Sequence, residues 1–122
     1  MQKILIIIAM ACCVTLAQAQ ERVRCQVVGI ADGDTLTCLT ADKTQIKTRL
    51  ARIDAPEKRQ PFGQRSRENL AGMVFDREVE LEMHATDRYG RAVATVWMGK
   101  QDVNLEQIRA GLAHDSKPHR PV

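Results

Sequence analysis

Alternation of apolar and polar side chains is the feature that most restricts the fold of this 122-residue chain. Residues 22–30 and 35–40 alternate or run apolar on either side of the turn-forming segment ADGD, which is typical of two strands joined in a hairpin. The alternation returns in residues 45–53, 77–84 and 91–98, each bounded by turn-forming residues. Because successive side chains of a strand point to opposite faces, we predict five short, half-buried strands.

Two further segments space their apolar residues as a helix does. The first runs from about residue 62 or 64 to residue 75 and places Leu70, Met73 and Val74 on one face, and the second covers residues 103–113. Five short strands, with one helix after the third and another after the fifth, are typical of a five-stranded OB-fold, an α+β arrangement built on a β-barrel. Barrels of this type often bind nucleic acids on one face, but the architecture alone does not identify a function.

The first 19 residues have the three parts of a secretory signal peptide. MQK is a short basic region, the next 13 residues are apolar, and AQA at residues 17–19 is a small-residue cleavage site. A buried N-terminal helix is the alternative interpretation of the apolar run. We expect an exported protein, periplasmic or secreted, with a folded domain at residues 20–113, a loose tail at residues 114–122 and no stable membrane association after cleavage of the leader.

The charge balance is mildly basic, with a formal net charge of +3. A balance this small does not provide a broad positive field for binding a polyanion. If nucleic acid is the partner, a few individually placed arginines must bind it.

Removal of the leader leaves two of the four cysteines, Cys25 and Cys38. An exported protein meets oxidising conditions, under which neighbouring cysteines usually form disulfides. A hairpin that turns at Asp32 and Gly33 places Val27 opposite Cys38, with Cys25 one diagonal step away on the same face. A disulfide is therefore possible in that register, although a bulge in either strand can spoil its geometry.

Five charged residues occur where the predicted strands meet their loops. Asp34 opens the second strand, Arg49 lies in the third, Asp54 and Glu57 follow its end, and Arg91 opens the fifth. Asp34 and Asp54 converge if strands two and three are antiparallel neighbours, and two carboxylates then make an all-oxygen site suited to Ca²⁺ or Mg²⁺. Each residue has a simpler interpretation as a turn former or a solvated charge, but together they are the types that a phosphodiesterase requires.

Longer motifs connect these residues to a known family. The chain contains, in this order, VVGIADGDTLT, IKTRLARIDAPE, QPFG, DRYGR and VNLEQIRAGLA. With these motifs at these spacings, residues 23–113 resemble the staphylococcal nuclease family (thermonuclease or micrococcal nuclease), whose members are exported, calcium-dependent nucleases. DGDT alone is a weak signal, whereas its combination with RLARIDAPE and DRYGR is specific. The resemblance implies a phosphodiesterase and endonuclease that acts on single-stranded DNA and RNA, leaves 3′-phosphate ends and works as a monomer.

The resemblance also implies a calcium site and a catalytic base. Asp34, Asp54 and the main-chain carbonyl of Ala55 match the family's calcium ligands. Glu57 matches the acid that positions or deprotonates the attacking water. Position 55 is alanine where the best-known member has threonine, and a carbonyl ligand is unaffected by that change.

Four further residues match groups that bind phosphate in the family. Arg49 and Arg91 match the two catalytic guanidiniums that bind the scissile phosphate. Arg88 and Tyr89 match a basic residue and a tyrosine that contact another phosphate of the nucleotide substrate. Arginine suits the catalytic role because its planar fork donates paired hydrogen bonds to phosphate, which lysine cannot do.

One departure from the family's pattern leaves other functions open. The family's domain continues into a third helix after GLA, where this sequence has HDSKPHRPV, so we expect a less stable domain with weaker nucleotide binding. One alternative is therefore a non-catalytic OB-fold domain that binds nucleic acid and is weakened by its short C-terminus. A second is a small exported calcium-binding or structural domain, which leaves Arg49 and Arg91 unexplained.

Overall fold

The computed structural model describes residues 20–116. The predicted leader at residues 1–19 and residues 117–122 of the predicted tail lie outside that range. Along the chain the structural elements are β1 (Arg22–Asp32), β2 (Thr35–Leu39), β3 (Gln45–Leu50), β4 (Ile53–Asp54), α1 (Gly63–Val74), β5 (Glu78–Thr86), β6 (Ala92–Met98), β7 (Gln101–Asp102), α2 (Val103–Arg109) and β8 (His114–Asp115).

The five longer strands close into a barrel. β3, β2, β1, β5 and β6 are hydrogen-bonded in that order as antiparallel neighbours, and β6 then pairs in parallel with β3. In the parallel pair Thr48 lies opposite Ala92 and Leu50 lies opposite Ala94. Each long strand therefore has a partner on both sides. This five-stranded mixed barrel with two helices confirms the predicted α+β fold of the OB type.

A single hydrophobic core fills the barrel and extends beneath the helices. Leu36 and Leu81 enter it from strands, and Leu70 and Val74 enter it from the buried face of α1. All four side chains are almost fully buried, which is the main contribution to the stability of such a small domain. Within residues 20–116, no helix is long and apolar enough to cross a membrane.

The β1–β2 hairpin has the register that its sequence predicts at the cysteines. Val27 lies opposite Cys38, and Cys25 and Cys38 form a disulfide with 5.6 Å between their Cα atoms. Both cysteines are buried in the core. The disulfide therefore crosslinks two neighbouring strands inside the barrel.

The turn of this hairpin differs from the prediction. The turn residues are Gly33 and Asp34 instead of Asp32 and Gly33, so Asp34 precedes β2 and does not open it. Two register shifts, between Val27 and Gly29 and between Ile30 and Asp32, displace the turn along the chain. Gly33 does not have the positive φ for which tight hairpin turns commonly use glycine. A glycine is required at this position because a Cβ would lie 1.8 Å from the Ser66 Oγ. Without a side chain on residue 33, α1 can approach the turn closely.

Helix α2 is shorter than predicted, since it ends at Arg109 and does not continue past Gly111. Gly111 has a φ of 73°, and this left-handed conformation ends the helix. The N–H of Gly111 donates to the Ile108 carbonyl, and the N–H of Leu112 donates to the Gln107 carbonyl. This pair of bonds is a Schellman motif.

A short second sheet changes both the predicted third strand and the predicted tail. The strand expected over residues 45–53 is interrupted at Arg52, whose φ is 67°. β4 follows and pairs with β8, with Asp54 opposite His114. The predicted tail, residues 114–122, was expected to be loose, but its first two residues form β8 and are hydrogen-bonded to β4. The main-chain groups of β4 gain partners in this way where the chain leaves the barrel.

Candidate active site

Several strand junctions at one end of the barrel bring predicted site residues together. In the β2–β3 pair Thr35 lies opposite Arg49, which places Asp34, the residue before Thr35, beside the end of β3. In the β3–β6 pair Arg49 lies opposite Val93, so Arg91, just before β6, belongs to the same end. The topology therefore gathers side chains that are far apart in the sequence.

Asp34 is nearly inaccessible, with 7% of its surface exposed. Its Oδ1 accepts a hydrogen bond from the Thr35 hydroxyl at 2.9 Å, and its Oδ2 accepts one from the main-chain N–H of Ala55 at 2.8 Å. The carbonyl oxygen of Asp34 accepts from the N–H of Leu50 at 2.8 Å. A buried carboxylate needs such partners, and these bonds fix it against the segment that follows β4.

The guanidinium of Arg49 lies between the two carboxylates predicted to bind metal. Its Nη1 is 3.3 Å from the Asp34 Oδ2, and its Nη2 donates a hydrogen bond to the Asp54 Oδ1. Nη1 also donates to the main-chain carbonyls of Leu50 at 3.0 Å and Ile53 at 2.7 Å. Asp34 and Asp54 therefore face one shared cationic group.

Arg49 keeps part of its hydrogen-bonding capacity. A guanidinium has five N–H donors, and three hydrogen bonds join that of Arg49 to Leu50, Ile53 and Asp54. Its Nε has no hydrogen-bond or ionic partner among residues 20–116. The Nε–H and the second N–H of Nη2 remain as donors for one anionic group.

Glu57 lies in the loop between β4 and α1, and its main chain is held on several sides. Its N–H donates to the Gln60 Oε1 at 2.8 Å, and its carbonyl accepts from the Gln60 N–H at 2.8 Å. The Asp32 carboxylate joins this loop to the hairpin by accepting from the N–H of Lys58 at 3.0 Å. A Cβ on Gly63 would lie 1.8 Å from the Glu57 carbonyl oxygen, so the loop packs closely on the start of α1. The Glu57 carboxylate is exposed and has no hydrogen-bonding or ionic partner within the described part of the chain.

Arg91 is oriented by Asp87, a residue that the sequence motifs did not single out. The Nε of Arg91 donates to the Asp87 Oδ2 at 2.7 Å, and the N–H groups of Arg91 and Tyr89 donate to its Oδ1 at 2.9 Å. Burial raises the pKa of Asp87, but the hydrogen bonds from Arg91 and Tyr89 outweigh it and hold the pKa below its usual value of 3.8. The spacing of four positions in DRYGR is the signal that could have indicated the pair.

Tyr89 lies in the turn between β5 and β6 with 68% of its surface exposed. The guanidinium carbons of Arg88 and Arg91 are 5.0 Å and 5.5 Å from the centroid of its ring. These distances are those of cation–π contacts. The three predicted phosphate-binding residues of this turn therefore form one group of two cations on an exposed aromatic ring.

The donor atoms at this end of the barrel fit a hard divalent cation that has few protein ligands. Within residues 20–116, no group of three or more His, Cys, Asp or Glu side chains is placed to hold a metal ion. Asp34 and Asp54, which share the Arg49 guanidinium, and the carbonyl of Ala55 offer only oxygen atoms. Ca²⁺ prefers oxygen ligands and completes its coordination with water or substrate oxygens.

A buried polar network, which sequence reasoning missed, supports the turn that carries Asp34. Gln107 is fully buried in α2, and its Nε2 donates to the carbonyl oxygens of Gly33 at 2.7 Å and Ser66 at 3.0 Å. Its Oε1 accepts a hydrogen bond from the side-chain amide of Asn69. A glutamine in a short amphipathic helix gives no signal of such a role until the packing of both helices is known.

Comparison with known proteins connects this arrangement to a family. A family model described as "Staphylococcal nuclease homologue" matches residues 47–121. The matched range contains Arg49, Asp54, Glu57 and Arg91 and begins after Asp34.

Three bacterial relatives extend the similarity toward the N-terminus. An uncharacterized endonuclease of Haemophilus influenzae is 47% identical over 108 residues, which cover 87% of this chain and 61% of that protein. Protein ParB of Escherichia coli is 44% identical over 114 residues, covering 86% of this chain and 64% of that protein. A micrococcal nuclease of Shigella flexneri is 39% identical over 99 residues, covering 74% of this chain and 56% of that protein. The chain spans less than two thirds of the length of each of these relatives. Together with the extent of the family match, these identities show that the chain belongs to the staphylococcal nuclease homologue family.

Proposed function

We propose that the protein is an exported, calcium-dependent nuclease that hydrolyses phosphodiester bonds of DNA and RNA and leaves 3′-phosphate ends. The observation that carries the proposal is the contact of both Asp34 and Asp54 with Arg49, at the barrel end to which Arg91 also belongs. Such a site offers oxygen ligands for a metal ion beside guanidinium groups for a phosphate. Membership of a family with a relative named micrococcal nuclease supports the same activity for this chain.

Asp34, Asp54 and the carbonyl of Ala55 are the groups that would hold the calcium ion. Both carboxylates contact the Arg49 guanidinium, which supports their assignment to one site. The ion, when bound, supplies Lewis-acid polarisation of a phosphoryl oxygen. The hydrogen bonds from Thr35 and Ala55 hold the Asp34 carboxylate in place before any ion arrives.

Glu57 is the proposed general base. It accepts a proton from the attacking water while the water oxygen forms its bond to phosphorus. The bond from phosphorus to the 5′ oxygen breaks, and that oxygen takes up a proton from solvent water to leave as the 5′-hydroxyl. The phosphate then stays on the 3′ side of the cut. A fixed main chain and a carboxylate without a partner in residues 20–116 support this role, which typically contributes roughly 10²–10⁴-fold in rate.

Arg49 and Arg91 are the proposed phosphate-binding residues. Arg49 retains its Nε–H and one N–H of Nη2, while Arg91 uses its Nε to bind Asp87 and retains its Nη groups. Hydrogen bonds from these donors strengthen as negative charge builds on the phosphoryl oxygens in the transition state. Arg88 and Tyr89, in the same turn as Arg91, are the proposed contacts for a neighbouring phosphate, and the cation–π contacts of this turn support that assignment.

Export is supported by the disulfide between Cys25 and Cys38, since structural disulfides form and persist in oxidising compartments. The predicted leader at residues 1–19 belongs to the same proposal. A fusion of those 19 residues to a reporter that is active only outside the cytoplasm tests it directly.

The activity is tested by digesting single-stranded DNA and RNA with the purified protein in calcium, and again in excess chelator. We expect cleavage in calcium that stops in chelator and returns when calcium is restored. The products are expected to carry 5′-hydroxyl ends, which polynucleotide kinase labels without prior phosphatase treatment. Folded protein that cuts under neither condition contradicts the proposal, and binding that persists in chelator without any product identifies the non-catalytic OB-fold domain instead.

A further inference from the structure

A cleft of about 370 Å³ opens beside the proposed calcium site. Its walls include Asp54, Ala55, Pro61, Phe62, Leu112 and His114. Asp54 and Ala55 are the residues that the proposed function assigns to the metal ion, so the cleft is continuous with that site. Its volume lies within the range of sites that bind small organic groups.

An exposed aromatic ring lies in the wall of this cleft. The chain has four Phe, Tyr and Trp residues in total, and Phe62 is one of three that are mostly exposed, at 65% of its surface. A single exposed apolar side chain is common on a protein surface. What distinguishes Phe62 from the other two exposed rings is its position in the wall of the cleft that adjoins the proposed site.

The backbone of Phe62 is held in an unfavourable conformation that presents its ring. Its φ is 64°, which is left-handed and costs free energy for a residue with a side chain. The N–H of Gly63 donates to the Gln60 carbonyl, and Gln60 in turn binds the main chain of Glu57 on both sides. The ring of Phe62 therefore projects from the same fixed loop that carries the proposed general base.

Two cationic side chains lie in this loop between Glu57 and Phe62. Lys58 and Arg59 are exposed, and their charged groups have no ionic or hydrogen-bonding partner among the residues that the structure describes. Unpaired cations in the same loop as an exposed ring are a combination with which proteins bind single-stranded nucleic acid, the cations contacting phosphates and the ring stacking on a base.

We propose that the cleft receives one unpaired base of the nucleic-acid substrate, next to the scissile phosphate, and that this base stacks on Phe62. The proposal rests on the proposed function and adds a binding site for a neighbouring nucleotide, with Lys58 and Arg59 contacting the backbone on that side. A base in a duplex is stacked and paired, so it cannot enter the cleft without being extruded.

The test measures base stacking directly in a variant that cuts slowly enough for binding to be followed before cleavage. Single-stranded oligonucleotides carrying one fluorescent 2-aminopurine, moved position by position, are titrated with Glu57→Gln protein in calcium. Fluorescence should be quenched strongly at one position, and Phe62→Leu added to Glu57→Gln should remove that quenching. Phe62→Leu should also weaken binding roughly 5- to 100-fold, the range expected for the loss of one base–aromatic stack.

Phe75→Leu is the matched control, because Phe75 is also an exposed phenylalanine and lies at the opposite end of α1. It should leave the quenching and the affinity unchanged. Phe62→Gly separates the loss of the stacking ring from a loss of stability. Glycine removes the ring, but it adopts the positive φ of this position without cost. We expect it to bind as weakly as Phe62→Leu while its thermal unfolding midpoint is equal to or above that of the parent.

Three results would overturn the inference. If the wild type cleaves DNA but the Phe62→Leu and Phe75→Leu variants bind single-stranded oligonucleotides with equal affinity, the proposed function stands and the stacking site is wrong. If Phe62→Leu lowers the unfolding midpoint without changing affinity, the cleft is filled by protein and not by a base. If the parent protein neither cuts nor binds single-stranded nucleic acid in calcium, the proposed function fails and the stacking site fails with it.

Discussion

The side-chain amide of Gln107 in α2 donates a 2.7 Å hydrogen bond to the carbonyl of Gly33, the residue immediately before Asp34. The same amide nitrogen donates to the carbonyl of Ser66 in α1 at 3.0 Å. One buried residue thus connects both helices to the turn that presents a proposed calcium ligand. The geometry of the site depends on the packing of helices that contribute none of its charged groups.

Replacement of Gln107 by leucine should therefore destabilise the domain. Gln107→Leu leaves the Gly33 and Ser66 carbonyls without this buried donor, which typically costs about 1–3 kcal/mol. The free energy of unfolding, measured by urea denaturation, should fall by that amount, and nuclease activity should fall at temperatures where the variant is still folded. Gln101→Leu changes an exposed glutamine at the end of the barrel sheet and should have little effect. Equal stability of the two variants would show that the network has no structural importance.

Asp87 is expected to make the stability of the domain depend on pH and to support nuclease activity through Arg91. Its pKa is lowered in the folded state, so its ionised form adds stability above the usual pKa, and that stability is lost as the pH falls through the lower folded value. The difference in free energy of unfolding between the wild type and Asp87→Asn should be constant near neutral pH and shrink below roughly pH 4. Because Arg91 loses its charged partner, kcat/KM at neutral pH should fall roughly 10- to 100-fold.

Asp42 provides the matched control for that prediction. Its pKa is also lowered, by hydrogen bonds from Thr40 and Thr44, but it lies in the turn between β2 and β3, at the other end of these strands from Asp34. Asp42→Asn should show the same loss of pH-dependent stabilisation in acid with unchanged nuclease activity. If both variants lose activity alike, the effect of Asp87 is general and does not operate through Arg91.

The disulfide should contribute stability without taking part in the chemistry. Cys25 and Cys38 are separated by 13 positions, and closing a loop of this size is expected to stabilise the folded state by about 3 kcal/mol. The double variant Cys25→Ala/Cys38→Ala should lose that amount in urea denaturation and keep its activity under conditions where it remains folded. The wild type in strong reductant should behave like the double variant. A double variant as stable as the oxidised wild type would contradict this prediction.

Local patterns were sufficient to predict the barrel, because alternation specifies which face of each strand is buried. The predicted pairing of Val27 with Cys38 is correct although the turn is not where it was predicted, because two register shifts in β1 lie between this pair and the turn. The family motifs additionally single out Asp34, Arg49, Asp54 and Arg91, whose roles remain predictions.

Features that depend on distant contacts could not be predicted in the same way. The sequence predicts Gly33 only as a turn residue, whereas its lack of a side chain allows the close approach of Ser66 from α1. The helix at residues 103–113 was extended through Gly111 because apolar spacing continues there, although the backbone conformation of the glycine ends it. Gln107 resembles a solvated residue in the sequence and is buried only because two helices and a turn meet around it.

Replacement of the proposed general base tests the central claim most directly. Glu57→Gln keeps the size and hydrogen-bonding capacity of the side chain but removes its basicity, and Glu78→Gln is the control because Glu78 pairs with Arg24 on an exposed surface. With saturating calcium and single-stranded DNA, Glu57→Gln should cleave at least roughly 10²-fold more slowly than the wild type. Arg91→Ala should show a loss of similar size, since it removes transition-state stabilisation. Glu78→Gln should cleave at the wild-type rate, and all variants should unfold at similar urea concentrations. A folded Glu57→Gln protein that cleaves as fast as the wild type would contradict the proposed mechanism.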